Sequence, residues 1–99
     1  MSTQVITDAE EALGQLERLT AALRSRGWTV EVAAPADRRP SALVADRRSP
    51  RLSENVIAVR EPGDAWSFCY AWGERIAPCA DPAAAADAIG HVLAARRAG

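Results

Sequence analysis

The sequence contains no lysine, a single histidine and only two cysteines among its 99 residues. The cysteines, Cys69 and Cys79, lack the close paired spacing of a structural zinc site or a redox CxxC motif. Charged residues interrupt every apolar stretch, so no segment approaches the run of about 20 apolar residues that a membrane-spanning helix needs. These absences predict a protein without a metal site, a cofactor or a membrane segment.

Length and composition indicate one globular domain spanning residues 1–99. A chain of 99 residues leaves no room for a second independent core. Its 48% hydrophobic and 25% charged residues are ordinary for a globular protein. The first residues, Met1 to Asp8, lack the basic start and apolar segment of a secretory signal, which predicts a cytoplasmic location.

Two segments have helical periodicity. Thr7 and Glu10 form a capping-box pattern, and the apolar repeat that follows predicts a helix over Asp8–Ser25, with Gly27 as its stop. Asp81 and Pro82 match the start of a second helix. Its apolar stripe is Ala85, Ala86, Ile89, Val92 and Leu93.

The segment between these helices has the pattern of an antiparallel sheet. Four predicted strands are Trp28–Ala33, Ser41–Asp46, Glu54–Arg60 and Ala65–Trp72. Ile76 could extend the last strand briefly beyond Gly73. Because the connections are too short for parallel crossovers, the pattern predicts an α+β fold with the order helix, four-stranded antiparallel sheet, helix.

The clearest turn signal is Pro62-Gly63, which is typical of a type II turn. If Glu61 pairs with Asp64, the cross-strand pairs are Val59 with Trp66, Ile57 with Phe68 and Asn55 with Tyr70. One face then collects the aromatic row Trp66, Phe68, Tyr70 and Trp72. We expect both helices to cover this face and to form the core with it.

The opposite face is predicted to carry small apolar residues that no helix covers. Such a face can pack against a second subunit or another protein. The candidate interface residues are Val44, Val56, Ala58, Cys69 and Ala71. The alternative interpretation is an ordinary exposed sheet face.

Two loops are rich in arginine. The candidate contacts to an anionic partner are Arg38, Arg39, Arg47, Arg48 and Arg51. Acidic neighbours Asp37 and Asp46, and a formal net charge of −1 for the whole chain, favour a solvated loop surface over a phosphate site. A nucleic-acid-binding module is therefore the alternative to a protein-interaction module, and nucleic acid is the less expected partner.

No catalytic set is recognisable. His91, the only histidine, lies off the apolar stripe of the second helix, and no nucleophile or acid is spaced to act with it. We expect no enzymatic activity. A small-ligand site would need a pocket between the helices and the aromatic face, beside Trp66, Tyr70 or Trp72.

The C-terminal half resembles small uncharacterised proteins of actinobacteria such as streptomycetes. The resemblance rests on Ala65-Trp66 to Trp72-Gly73, Arg75-Ile76-Ala77-Pro78 and Asp81-Pro82-Ala83-Ala84. It implies a bacterial, cytoplasmic origin and brings no activity, cofactor or catalytic residue. The sequence thus predicts an accessory or regulatory interaction module, either a homodimer or the partner of another protein.

Overall fold

A computed structural model describes the backbone of residues 2–98 and the side chains of residues 8–97. Its elements in chain order are α1 (Ser2–Ser25), β1 (Thr29–Ala33), β2 (Ser41–Ala45), β3 (Ser53–Arg60), β4 (Trp66–Tyr70), β5 (Arg75–Pro78) and α2 (Pro82–Ala98). The strands form one antiparallel sheet in the order β1-β2-β3-β4-β5. The predicted α+β class and antiparallel sheet are confirmed.

The prediction of four strands is wrong, because the chain reverses after Tyr70 and forms a fifth. Gly73 has a φ of 118° in this turn, a left-handed conformation that favours glycine. The Tyr70 N–H donates to the Glu74 carbonyl over 2.8 Å, which closes the turn. The residues around Ile76 therefore pair with β4 as a separate strand instead of extending it.

The predicted register of the β3–β4 hairpin is wrong by one residue. The Glu61 N–H donates to the Ala65 carbonyl over 2.7 Å, so the loop contains Asp64 as well as Pro62 and Gly63. Both Gly63 and Asp64 have positive φ angles, 85° and 64°. The observed pairs are Val56 with Tyr70, Ala58 with Phe68 and Arg60 with Trp66.

A shift of one residue moves each side chain of a strand to the other face of the sheet. We call the face whose side chains enter the core the inner face. Its buried residues are Val30, Ala42, Val44, Val56, Ala58, Phe68, Tyr70 and Ala77. The aromatic rings of β4 therefore lie beside Val56 and Ala58, not beside Ile57 and Val59 as the predicted register required.

The aromatic row is only partly buried. Phe68 and Tyr70 are buried in the core, and Trp66 is half-buried against it. Trp72 is 59% exposed, which contradicts its predicted place in the core. The reason is that β4 ends at Tyr70, so Trp72 lies in the following turn, where its ring stacks on Tyr70 with the centroids 5.1 Å apart.

α1 packs on β1, β2 and β3 through the apolar stripe predicted from its periodicity. The buried residues of this stripe are Ala12, Leu16, Leu19 and Leu23. The helix begins at Ser2, so the predicted start at Asp8 is wrong. Thr7, the predicted capping residue, lies within the helix, and its side chain is outside the described residues. The predicted stop is confirmed, since Gly27 follows the helix with a φ of 89°.

α2 begins where the sequence predicts. The Asp81 carboxylate accepts a hydrogen bond of 3.0 Å from the Ala84 N–H, which caps the first turn. The helix packs on β5 and on α1, and it buries Ala85, Ala86, Ile89 and Leu93. Neither of the described helices is long and apolar enough to cross a membrane.

Candidate functional site

Three of the five predicted interface residues lie inside the protein. Val44 and Val56 are 0% exposed, and Ala58 is 6% exposed. All three join the cluster that includes Phe68. Side chains without accessible surface cannot form the centre of a contact between folded subunits, so their assignment to an uncovered face is wrong. For Val56 and Ala58 the physical cause is the additional loop residue Asp64, which exchanges the faces of β3 relative to β4.

The face opposite the core is named the outer face here. By strand alternation and register it carries Glu31 and Ala33 of β1, Ser41, Leu43 and Ala45 of β2, Ser53, Asn55, Ile57 and Val59 of β3, and Ser67 and Cys69 of β4. Leu43 is 37% exposed, and Ile57, Val59 and Cys69 are half-buried. Of the predicted interface residues, Cys69 lies here, and the exposed Ala71 continues the same alternation.

An apolar strip crosses the middle of the outer face. Ile57 pairs with Cys69 of the neighbouring strand. Leu43 pairs with Asn55, which makes it a diagonal neighbour of Ile57. Leu43, Ile57 and Cys69 thus follow one another across β2, β3 and β4. Burial raises the pKa of the Cys69 thiol, with a smaller contribution of the same sign from Glu61.

Three hydrogen-bonded polar side chains, Glu61, Ser67 and Arg75, border this strip. The buried Ser67 hydroxyl donates to a carboxylate oxygen of Glu61, and Arg75 Nε donates to both residues, over 3.2 Å to Ser67 Oγ and 3.3 Å to Glu61 Oε2. The hydrogen bond from Ser67 is the main reason that the pKa of Glu61 is lowered. The Ser67 hydroxyl thus has its hydrogen-bond partners within the chain. Glu61, Ser67 and Arg75 hold one another in place at the edge of the outer face.

The five predicted anionic contacts are not brought together. Arg38 and Arg39 lie in the loop between β1 and β2, whereas Arg47, Arg48 and Arg51 lie in the loop between β2 and β3. These loops leave β2 at opposite ends. In the first loop, Arg38 Nε is 3.8 Å from Oδ1 of its neighbour Asp37. In the second loop, the side chains of Arg47, Arg48 and Arg51 have no hydrogen-bond or ion-pair partner among residues 8–97.

The loop between β2 and β3 meets the ends of both helices. We call the resulting feature the arginine cleft; it has a volume of about 630 Å³ and is lined by Arg26, Gly27, Trp28, Asp46, Arg47, Arg48 and Arg97. Arg26 and Trp28 follow α1, and Arg97 belongs to the last turn of α2. Cationic side chains at helix C-termini also offset the partial negative charge of the last carbonyls.

Some cleft residues are held by contacts within the chain. Arg26 Nε is 2.9 Å from Asp87 Oδ1, and Arg26 also donates to the Ala22 carbonyl over 2.9 Å. Arg97 Nε is 3.4 Å from Asp46 Oδ2. Asp46 Oδ1 accepts 2.8 Å from the Arg48 N–H, but its buried Oδ2 receives no hydrogen bond from a described residue. The cleft therefore combines fixed arginines, unpaired arginines and one unsatisfied acceptor.

Sequence reasoning found the loop arginines of the cleft but missed Arg26, Trp28 and Arg97. These residues are distant along the chain and meet only because both helices end beside this loop. The signal that could have found Arg26 and Arg97 is the presence of arginines at the C-terminal ends of both predicted helices.

Among residues 8–97, neither His91 nor the potential metal ligands form a recognisable catalytic or metal site. The exposed His91 has its Nδ1 2.8 Å from the Asp87 carbonyl, so its N–H is directed to its own helix. Within residues 8–97, no group of three or more histidine, cysteine, aspartate or glutamate side chains is placed to hold a metal ion.

No protein-family model matches the chain, and no curated protein or solved structure is significantly similar to it. The resemblance to actinobacterial proteins stays a prediction.

Proposed function

We propose that this protein is a cytoplasmic, non-enzymatic interaction module that forms a homodimer through the outer face of its sheet. The observation that carries the proposal is the apolar strip of Leu43, Ile57 and Cys69, in which Leu43 keeps 37% of its surface exposed. When a second surface removes adjoining apolar residues from water, the free energy of the system falls, which favours association.

The proposal takes both helices to lie on the inner face, which leaves the outer face for a partner. Two ion pairs support this arrangement. Arg96 of α2 pairs with Glu54, and Arg97 is 3.4 Å from Asp46. Glu54 pairs with the buried Val44 and so shares its inner face. The last turn of α2 is thereby tied to the side of the sheet on which α1 also packs.

A second copy is the occupant favoured by the distribution of charge. At one end of the strands lie six acidic residues, Asp8, Glu10, Glu11, Asp37, Asp64 and Asp81, against four arginines, Arg18, Arg38, Arg39 and Arg60, which pair in part with them. At the other end lie seven arginines, Arg24, Arg26, Arg47, Arg48, Arg51, Arg96 and Arg97, against four acidic residues, Asp46, Glu54, Glu74 and Asp87. An excess of negative charge thus remains at the first end and an excess of positive charge at the second. A two-fold axis that crosses the strands stacks the two outer faces with the acidic end of each copy near the arginine-rich end of the other. Aligned sheet packing is compatible with this orientation.

Sedimentation equilibrium tests the dimer. The wild-type protein should show a concentration-dependent mass that rises from the 10.6 kDa of the monomer towards twice that value. Leu43→Glu and Ile57→Glu should each stay at the monomer mass, because a dimer would bury an unpaired carboxylate. Rising salt should weaken the wild-type dimer, because it screens the attraction between the oppositely charged ends.

The matched control is Ala21→Glu, which adds the same carboxylate to an exposed position on α1. This variant should dimerise like the wild type. Circular dichroism of all three variants separates loss of association from loss of folding. A wild-type protein that sediments as a monomer at its highest soluble concentration would contradict the proposal.

A further inference from the structure

The arginine cleft has positive charge that the chain itself does not use. Arg47 and Arg48 are exposed, and neither side chain has an acceptor among residues 8–97. Arg26 and Arg97, by contrast, are held by Asp87 and Asp46. Two anchored and two free guanidinium groups around one concavity form a surface suited to an anion such as a phosphate group.

An aromatic wall adjoins this charge. Trp28 is half-buried and lines the cleft. Its indole lies against Gly90 of α2, where an added Cβ would come within 3.3 Å of Nε1. A side chain at position 90 would therefore require the ring to shift by a few tenths of an ångström. Gly90 allows the indole to pack against the helix while it still borders the cleft, where a flat ring can stack on it.

The cleft also contains one carboxylate, Asp46. Asp46 is 5% exposed, and its Oδ2 is buried with no hydrogen bond from a described residue; Arg97 Nε is 3.4 Å away. This oxygen has no surface that a bound molecule could contact, and the Arg97 guanidinium compensates its charge. The carboxylate therefore leaves the charge of Arg47 and Arg48 available to a ligand.

We propose that the arginine cleft binds a nucleotide, with the phosphate on Arg47 and Arg48 and the base against Trp28. These two features match the phosphate and the base of a nucleotide. A volume of about 630 Å³ is within the range of small-molecule sites. The source is either a free nucleotide or one nucleotide of a single strand. The site lies at the helix ends, outside the apolar strip, and needs no second copy. In the proposed homodimer the acidic end of the second copy would compete with the phosphate for Arg47 and Arg48.

Titration calorimetry of the wild-type protein with the four nucleoside monophosphates, and with a short single-stranded RNA, tests the proposal. At least one monophosphate should bind, and ribose 5-phosphate should bind at least about tenfold more weakly because it lacks the base. Tighter binding of the RNA, with a steep salt dependence, would identify a strand as the source; equal or weaker binding would identify the free nucleotide.

Matched arginine variants locate the site. Arg47→Ala and Arg48→Ala should each weaken binding about tenfold or more, whereas Arg38→Ala, at the opposite end of the sheet, should leave it unchanged. In a Trp66→Phe/Trp72→Phe background, Trp28 is the only remaining tryptophan, and bound nucleotide should quench its fluorescence. If that background fails to fold, Trp28→Phe in calorimetry replaces it and should weaken binding.

Three results would overturn the proposal. One is no detectable binding of any monophosphate or of the RNA at millimolar ligand concentration. Another is equal loss on Arg38→Ala and Arg47→Ala, which would mean attraction by overall charge. The third is ribose 5-phosphate that binds as tightly as the nucleotides, which would leave an anion patch without recognition of the base.

Discussion

The two faces of the sheet are made from neighbouring residues of the same strands, yet their surroundings differ. On β3, Val56 is fully buried and Ala58 is 6% exposed, while Ile57 and Val59 between and beside them are only half-buried. Ile57 and Val59 thus face outwards, while Val56 and the smaller Ala58 face in. Side-chain size alone does not identify the inner face, because the register with β4 decides which residues of β3 lie beside Phe68 and Tyr70.

The comparison predicts its largest contrast for a carboxylate placed on either face. Ala58→Glu would bury an unpaired charge in the core and should cost about 3–5 kcal/mol or prevent folding. Val59→Glu places the same group on the outer face of the same strand and should cost about 1 kcal/mol. Urea unfolding measures both. Similar losses at the two positions would show that the faces are not distinct.

Truncation of large side chains should give the next largest contrast. Phe68 is 0% exposed, so Phe68→Ala should cost about 3–5 kcal/mol through lost burial and the cavity left behind. Ile57→Ala on the outer face should cost about 1 kcal/mol, because the half-buried side chain loses less contact. The same denaturation experiment compares them. A larger loss for Ile57→Ala would place Ile57 in the core after all.

These contrasts also define what the sequence could predict. The helix periodicity correctly predicted the buried stripes of α1 and α2, because each stripe repeats over several turns and tolerates errors at its ends. The assignment of strand residues to the two faces does not tolerate an error of even one residue in the register. Asp64 alone decides which residues of β3 face the core, and Pro62-Gly63 is compatible with a loop of either length.

The site was predictable to a smaller extent. Arg47 and Arg48 were found as members of an arginine-rich loop, but their neighbours in the cleft come from both helix ends. Such a meeting depends on where Arg26 and Arg97 come to lie in three dimensions, which local sequence patterns do not contain. Cys69 was assigned to the correct face, whereas Val44, Val56 and Ala58 were not.

The two cysteines provide a pH-dependent comparison of inside and outside. Burial raises the pKa of Cys79 to about 12. In the unfolded chain the thiol ionises near its ordinary value of 9.0, so the contribution of Cys79 to stability is fully present below that pH and is lost progressively as pH rises from about 9 towards 12. The free energy of unfolding should therefore be lower at pH about 10 than at neutral pH. In the Cys79→Ala variant the difference between the two pH values should be smaller.

Tyr70 adds a loss of the same sign, because burial raises its pKa as well. The Cys79→Ala variant should therefore retain part of the pH dependence. A fall that is identical in wild type and variant would contradict the burial of Cys79. Alkylation under native conditions is a second test, in which the half-buried Cys69 should react faster than the 3% exposed Cys79.

The smallest predicted effect concerns the Tyr70 hydroxyl on the inner face. This oxygen is buried and has no hydrogen-bond partner among the described residues. Tyr70→Phe removes the unsatisfied group and keeps the ring that stacks on Trp72. The variant should be as stable as the wild type or up to about 1 kcal/mol more stable. A clear destabilisation would indicate that the hydroxyl makes a hydrogen bond.

The register of the β3–β4 hairpin is the claim on which both faces depend, and cross-strand nuclear Overhauser effects measure it directly. The structure pairs Ala58 with Phe68 and Val56 with Tyr70, so backbone proton contacts should join these residues. A one-residue shift would instead join Ile57 with Phe68 and Asn55 with Tyr70. Observation of the second set would contradict the account, because it would return Ile57 to the core and Ala58 to the outer face.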